Sequence, residues 1–120
     1  MFLWTTIHVS NMEKSLEFYT KVLNLKIDRK YSPAPHMELA FLGDGETKVE
    51  LIRDNTEGAV NLEAPVSMGF RTDSLDKKME ELESMGIPVA EGPFQPTPNI
   101  RFFYAKDPDG MKIQFVEQKS

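Results

Sequence analysis

Cysteine is absent from the 120-residue chain, and histidine occurs only twice. The lack of cysteine excludes disulfides, thiolate metal sites and cysteine nucleophiles, and two histidines are too few for a histidine-rich metal cage. The chain has 14 Lys and Arg against 19 Asp and Glu, so its net charge is -5 and no broad cationic surface favours nucleic acid. Any chemistry must therefore rest on His, Asp, Glu, Ser and Tyr side chains.

Long apolar runs are also missing. None approaches the ~20 residues of a membrane span, and the start MFLWTTIHV lacks the basic flank and cleavage site of a signal peptide. We therefore expect a cytoplasmic protein with neither a membrane nor a nucleic-acid partner. Hydrophobic residues make up 40% and charged residues 28%, an ordinary composition for a folded domain. The length predicts a single domain over residues 1–120.

An internal repeat divides the chain into two related halves. The segment Ile7–Met12 corresponds to Phe70–Leu75, 63 residues later, and Lys48–Ile52 corresponds to Lys112–Val116, 64 residues later. Apolar residues follow with helical spacing in both halves. These residues are Met12, Leu16, Tyr19 and Val22 in the first half and Leu75, Met79, Leu82 and Met85 in the second. The repeat predicts an α+β fold of two modules, residues 1–60 and 64–120, each ordered strand, helix, three strands.

Residues at the predicted helix ends are typical of caps. Ser10 with Glu13 reads as a capping box, Asp73 can accept from first-turn amides of the second helix, and Gly86 ends that helix. Prolines recur at the repeat offset and predict matching loops, because proline does not fit a central strand. They are Pro33 and Pro35 in the first half and Pro96 and Pro98 in the second.

Alternation along the predicted strands indicates which side chains share a face. Ile7, Leu51 and Phe115 should meet the helices, and their neighbours in sequence should point away from them. Six chemistry-bearing residues then lie on the helix-free face, where a curved sheet would form a pocket. These candidate ligand-binding residues are Trp4, His8, Glu50, Ser67, Arg71 and Gln114.

The sequence resembles the vicinal oxygen chelate superfamily. The resemblance rests on the segment 8–19, on Val22–Leu25, and on Asp107–Gly110 followed by Lys112–Gln114. This superfamily includes lactoylglutathione lyase, bleomycin-resistance proteins, fosfomycin-resistance enzymes and extradiol dioxygenases. The resemblance implies two βαβββ modules that form a cupped mixed sheet around a cavity, often in a homodimer.

Metal-dependent members of this superfamily hold a divalent ion with one residue from each of four strands. The resemblance places those positions at Trp4, Glu50, Ser67 and Gln114. An indole offers no lone pair to a cation, and a neutral serine hydroxyl is a poor ligand for Zn or Ni. We therefore expect no tightly held metal; if one binds, its ligands are Glu50 and Gln114.

Two further positions concern glutathione. In lactoylglutathione lyases the position of His8 typically carries an Arg that binds the glutathione carboxylate. The position of Asp54 often carries an Asn that also serves glutathione. The carboxylate of Asp54 would instead repel an anionic tripeptide.

Three functions remain open. The preferred hypothesis is a bleomycin-resistance type protein that binds a small molecule without a metal cofactor. The alternative is a lyase or isomerase similar to lactoylglutathione lyase, which uses Ni or Zn with Glu50 as the catalytic residue. A third is metal-free proton transfer, in which Glu50 acts as base and His8 or Arg71 polarises a carbonyl.

The same residues also have plainer interpretations. Glu50 could be a surface carboxylate, and His8 a hydrogen-bonded edge histidine. Arg71 could pair with Glu50, bond Gln114 or bind an anionic ligand group, and the sequence does not choose among these. Met12, Met79 and Met85 are predicted to fill the core.

Overall fold

The computed structural model describes residues 1–119, which divide into two compact units. Unit 1 is Met1–Asn61, and unit 2 begins at Leu62. Each unit has the order strand, helix, three strands, so the predicted α+β fold of two βαβββ modules is confirmed. Among residues 1–119, no helix is long and apolar enough to cross a membrane.

Unit 1 is a four-stranded mixed sheet with one helix. Its elements are β1 (Trp4–His8), α1 (Met12–Glu17), β2 (Ile27–Ala34), β3 (Met37–Leu42) and β4 (Lys48–Asp54). A π-helical turn, Phe18–Val22, continues α1. The strand order is β1-β4-β3-β2, with β1 parallel to β4 and the other pairs antiparallel.

Unit 2 repeats this plan. Its elements are β5 (Ser67–Arg71), α2 (Leu75–Ser84), β6 (Glu91–Thr97), β7 (Ile100–Lys106) and β8 (Lys112–Gln118). The strand order is β5-β8-β7-β6, again with the first and last strands of the unit parallel.

The core of each unit contains the side chains predicted to meet its helix. In unit 1, Ile7 is 7% exposed and Leu51 is fully buried. In unit 2 the rings of Phe103 and Phe115 stack with centroids 4.8 Å apart, and Leu82 is fully buried. The period-2 alternation therefore assigned the buried strand faces correctly.

Both helices begin one residue later than predicted. Asn11 accepts a hydrogen bond from the Lys14 backbone N–H (3.0 Å), and Ser74 accepts one from the Lys77 N–H (3.3 Å), so these residues are the N-caps. The Ser10 hydroxyl instead accepts from the Val60 backbone N–H at 2.6 Å. Asn and Ser are as effective as the predicted caps, and neighbouring candidates are not distinguishable by residue type.

The end of α2 gives one confirmation and one correction. Gly86 has φ +74° directly after the helix, the left-handed conformation predicted for a terminating glycine. Met85 was expected in the core but is 44% exposed, because it lies at the C-cap beyond the last buried turn. Met79 is half-buried, and Met12 is buried as predicted.

The predicted proline loops are partly wrong. Pro33 lies within β2 and Pro96 within β6, which are the outer strands of their sheets. An outer strand has a row of backbone N–H groups without a neighbouring strand, and proline is tolerated there.

Candidate functional site

The sheet of unit 1 presents one face that is turned away from the buried helix-facing side chains. We call this face open face 1. Trp4, Thr6 and His8 of β1 are exposed on it, and Glu50 and Ile52 of β4 are half-buried. Thr6, His8, Glu50 and Ile52 each adjoin a buried residue in sequence, as the alternation predicted, whereas Trp4 is followed by the half-buried Thr5.

Glu50 is fixed by a neighbour on open face 1. Thr6 is its register partner across the parallel β1–β4 pair, and the Thr6 hydroxyl donates to Glu50 Oε1 at 2.6 Å. A hydrogen bond to a carboxylate is stronger than one between neutral groups. The sequence placed Thr6 on this face but not among the site residues, because its bond depends on the strand register.

An aromatic wall lies beside Glu50. Phe41 of β3 is the register partner of Glu50, and its buried ring packs against the exposed Trp4 ring at a centroid distance of 5.1 Å. The guanidinium of Arg29 lies 4.6 Å from the Phe41 ring centroid. Sequence reasoning missed Phe41 and Arg29, because Leu39–Leu42 are apolar without alternation and give no face to Phe41.

His8 forms a close pair with a residue that sequence reasoning also missed. Its Nδ1 lies 2.6 Å from Glu57 Oε1, and the two side chains are 45% and 41% exposed. Glu57 follows the end of β4. Two hydrogen bonds from Arg53 hold this segment, one to the Glu57 carbonyl (3.2 Å) and one to the Gly58 carbonyl (3.3 Å).

The turn before Glu57 depends on Asp54. Asp54 Oδ1 accepts hydrogen bonds from the Thr56 hydroxyl (2.6 Å) and the Thr56 backbone N–H (2.9 Å). These bonds favour the ionised carboxylate, so they hold the pKa of Asp54 below its usual value, with the hydroxyl bond contributing most. The Glu57 N–H closes the turn by donating to the Asp54 carbonyl at 3.0 Å.

Unit 2 has a corresponding open face, which we call open face 2. Ser67, Gly69 and Arg71 of β5 are exposed there, and Gln114 of β8 is half-buried. Gln114 Nε2 donates to the Tyr104 hydroxyl at 3.5 Å. A Cβ atom added to Gly69 would lie only 3.1 Å from Gln114 Oε1, so the amide occupies the space that a β5 side chain would fill.

Two cationic side chains of open face 2, Arg71 and Lys112, are paired within unit 2. Arg71 donates to Gln118 Oε1 at 3.5 Å, and Gln118 was not among the partners considered from the sequence. Lys112 forms an ion pair with Glu91, and its ammonium lies 4.3 Å from the Tyr104 ring centroid.

The six predicted residues thus fall into two groups, three on each open face. A cleft of about 660 Å³ in unit 1 contains none of them. Its lining residues are Ser10, Asn11, Met12, Glu13, Leu16, Lys30, Glu38, Arg53 and Asn55. This cleft lies beside the start of α1, away from open face 1.

The residues at the four metal-ligand positions do not fit a tightly held divalent ion. Trp4 offers only an N–H donor, and Ser67 only a neutral hydroxyl. Glu50 already accepts from Thr6, and the Gln114 amide is a weak ligand. Within residues 1–119, no three His, Asp or Glu side chains are grouped closely enough to hold a metal.

Comparisons with known proteins agree with the fold. The model of the Glyoxalase/Bleomycin resistance protein/Dioxygenase superfamily matches residues 2–115. A lactoylglutathione lyase from Neisseria meningitidis serogroup B (strain ATCC BAA-335 / MC58) is 34% identical over 126 residues, covering 98% of this chain and 91% of the relative.

Two solved structures share the architecture. The trypanothione-dependent glyoxalase I of Leishmania major has a TM-score of 0.83 at 22% identity, covering 98% of this chain and 86% of the other. TnmS3, an antibiotic binding protein from Streptomyces sp. CB03234, has a TM-score of 0.75 at 24% identity, covering 100% and 96%. On the strength of the family match and the relative in Neisseria, the chain belongs to the Glyoxalase/Bleomycin resistance protein/Dioxygenase superfamily.

Proposed function

We propose that this protein binds a small organic molecule on open face 1, without a tightly held metal ion. The observation that carries the proposal is the arrangement on open face 1, where the exposed Trp4 ring packs on the buried Phe41 ring beside a carboxylate fixed by Thr6. Ligand sites commonly combine an apolar wall with a few polar groups in fixed positions. The exposed Trp4 ring and the Glu50 carboxylate, fixed by its hydrogen bond from Thr6, match this description.

The chemistry of open face 1 favours an aromatic ligand with a cationic or hydrogen-bond-donating group. A flat ring can lie against Trp4, which is 42% exposed. Glu50 accepts hydrogen bonds and carries a negative charge, so it favours an ammonium or a similar donor. On open face 2, Tyr104 and Gln114 offer a second aromatic surface and a neutral amide.

A thermal-stabilisation screen of aromatic amines and their uncharged analogues tests the proposal, with chelator-treated protein. Amines that raise the unfolding temperature should lose most of that effect in Trp4→Ala and in Glu50→Gln. Met85→Ala is a matched control, because Met85 is 44% exposed at the end of α2 and is not a residue of either open face. A ligand that stabilises Trp4→Ala as strongly as the wild type would contradict the proposed site.

A second candidate function is a metal-dependent lyase. The relatives that favour it are named lactoylglutathione lyase, and one from Escherichia coli O157:H7 is 30% identical over 98% of this chain. Glu50 stands at the family ligand position that carries a carboxylate. Isomerisation of a hemithioacetal, assayed with added Ni²⁺ or Zn²⁺, tests it. Turnover lost in Glu50→Gln would establish the lyase, and background rates with both metals would exclude it.

A further inference from the structure

We propose that Glu57, positioned by Arg53, fixes the tautomer of His8 so that His8 Nε2 is a hydrogen-bond acceptor on open face 1. The acceptor would receive an O–H or N–H group of the ligand. The ligand part of this inference rests on the proposed function, whereas the tautomer is a property of the free protein. Glu57 is a positioning residue in this account, because it acts through His8.

The proton assignment follows from the chemistry of the pair. An ionised carboxylate can only accept hydrogen bonds, so the close contact between His8 Nδ1 and Glu57 Oε1, at 2.6 Å, requires a proton on Nδ1. In the neutral imidazole the other ring nitrogen, Nε2, then has a free lone pair. The 45% exposure of the His8 side chain leaves room for a ligand to reach it.

Glu57 is held in place before any ligand arrives. Its backbone N–H donates to the Asp54 carbonyl at 3.0 Å, and its carbonyl accepts from Arg53 Nη2 at 3.2 Å. Arg53 Nη1 bonds the Gly58 carbonyl and the Val9 carbonyl, both at 3.3 Å. Val9 follows His8 directly, so one guanidinium ties the segment that carries Glu57 to the strand that carries His8. Such preorganisation lowers the entropy lost when the pair orients a ligand.

The position of His8 defines a ligand class. His8 and Thr6 point to the same face of β1, about 7 Å apart along the strand, and Thr6 holds Glu50. Open face 1 therefore presents two acceptors, Nε2 and a carboxylate, with the Trp4 ring beside the carboxylate and about 13 Å along β1 from His8. A ligand that satisfies both must bring donors, such as phenolic hydroxyls or protonated amines. Anions without donor groups, including simple carboxylates, should bind poorly.

Nuclear magnetic resonance of ¹⁵N-labelled full-length protein tests the tautomer directly. Long-range ¹H–¹⁵N spectra at about pH 9, above the usual histidine range, distinguish protonated from unprotonated ring nitrogens. Only two histidines contribute, so His8→Gln identifies the signals and His36 is an internal reference. We expect the Nδ1–H form of His8 to exceed the Nε2–H form by about tenfold or more, since a bond to a charged group is strong.

Variants separate a positioning role from a general structural one. Glu57→Gln should abolish the tautomer preference, and Glu57→Asp should restore part of it. Arg53→Lys should weaken the preference in a folded protein. Glu46→Gln is the matched control: it removes a carboxylate from the exposed β3–β4 loop of unit 1, outside the Glu57 segment, so the preference should remain. Wild-type His8 in the Nε2–H form, or a preference unchanged in Glu57→Gln, would overturn the inference.

A pair of matched small molecules tests the acceptor role. Phenol carries an O–H donor, and anisole has the same ring with a methyl ether. Phenol should shift the His8 Nε2 signal more than anisole does, and Glu57→Gln should reduce that difference. Equal shifts would refute the acceptor role even where the tautomer is as expected. If neither compound nor any other ligand binds while the tautomer is confirmed, the proposed function fails and the Glu57–His8 pairing stands.

Discussion

Where β4 of unit 1 carries Glu50 bonded to Thr6, the equivalent strand of unit 2 carries Gln114 beside Gly69. β1 of unit 1 ends at His8, which pairs with Glu57. β5 of unit 2 ends at Arg71, which bonds Gln118. Unit 1 therefore presents an acidic open face with an aromatic wall. Unit 2 presents a neutral amide at the corresponding position.

The helix-facing sides of the same strands differ much less. Val49 and Leu51 in unit 1 and Ile113 and Phe115 in unit 2 are all apolar and buried. Close packing against a helix restricts those positions to apolar side chains of suitable volume. The open faces have no such restriction, so the repeated backbone can carry a different chemistry in each unit. Function should therefore be sought where the two units differ.

The largest expected effects come from substitutions on the buried, helix-facing sides of the strands, which are apolar in both units. Leu51→Ala and Phe115→Ala each remove a fully or nearly fully buried side chain and should each lower the free energy of unfolding by about 3–4 kcal/mol. Denaturant titration measures this. A loss below about 1 kcal/mol in either unit would show that its core is much looser than the burial indicates.

Replacing a unit 1 residue by its unit 2 counterpart should have a smaller effect on stability. Thr6→Gly puts the glycine of unit 2 into β1, removing the hydroxyl bond to Glu50 and adding backbone freedom, at a cost of about 1–2 kcal/mol. Thr6→Val keeps the β-branched shape and loses only the bond, so it should cost less than Thr6→Gly. Equal losses in denaturant titrations would mean that the hydrogen bond contributes nearly all of the effect.

A second exchange affects binding more than stability. Trp4→Ser introduces the residue that unit 2 carries at that position, and it should weaken the binding of an aromatic amine found in the screen by about tenfold, roughly 1.4 kcal/mol. Isothermal titration of variant and wild type measures it. If Trp4→Ser keeps the affinity of the wild type, the ligand does not bind on open face 1.

The smallest effect concerns the pH dependence of stability that Asp54 contributes. The corresponding residue of unit 2, 64 positions later, is Gln118, which does not titrate. Hydrogen bonds from Thr56 lower the pKa of Asp54 in the folded protein. The ionised carboxylate therefore stabilises the folded state above the ordinary carboxyl pKa, and this stabilisation is lost as the pH falls through the pKa of the folded protein. Denaturation midpoints of wild type and Asp54→Asn should therefore differ at neutral pH and converge as the pH falls below about 5. A constant difference across that interval would contradict the assignment.

The sequence predicted the βαβββ repeat and the faces of its strands, because periodicity and internal similarity depend on local patterns. It placed Trp4, His8 and Glu50 on one face correctly. It did not predict Phe41 beside Glu50 or Glu57 beside His8, because those contacts depend on strand register and on the course of a turn. Register determines which side chains meet, and no local pattern specified it here.

The measurement that most directly tests metal-free binding is a calorimetric titration of chelator-treated protein with Ni²⁺ and Zn²⁺, repeated on Glu50→Ala. Because Trp4 and Ser67 stand at two of the four ligand positions, we expect no heat above dilution for either protein. Submicromolar binding at one site per chain, lost in Glu50→Ala, would contradict the account and would make the lyase the better hypothesis.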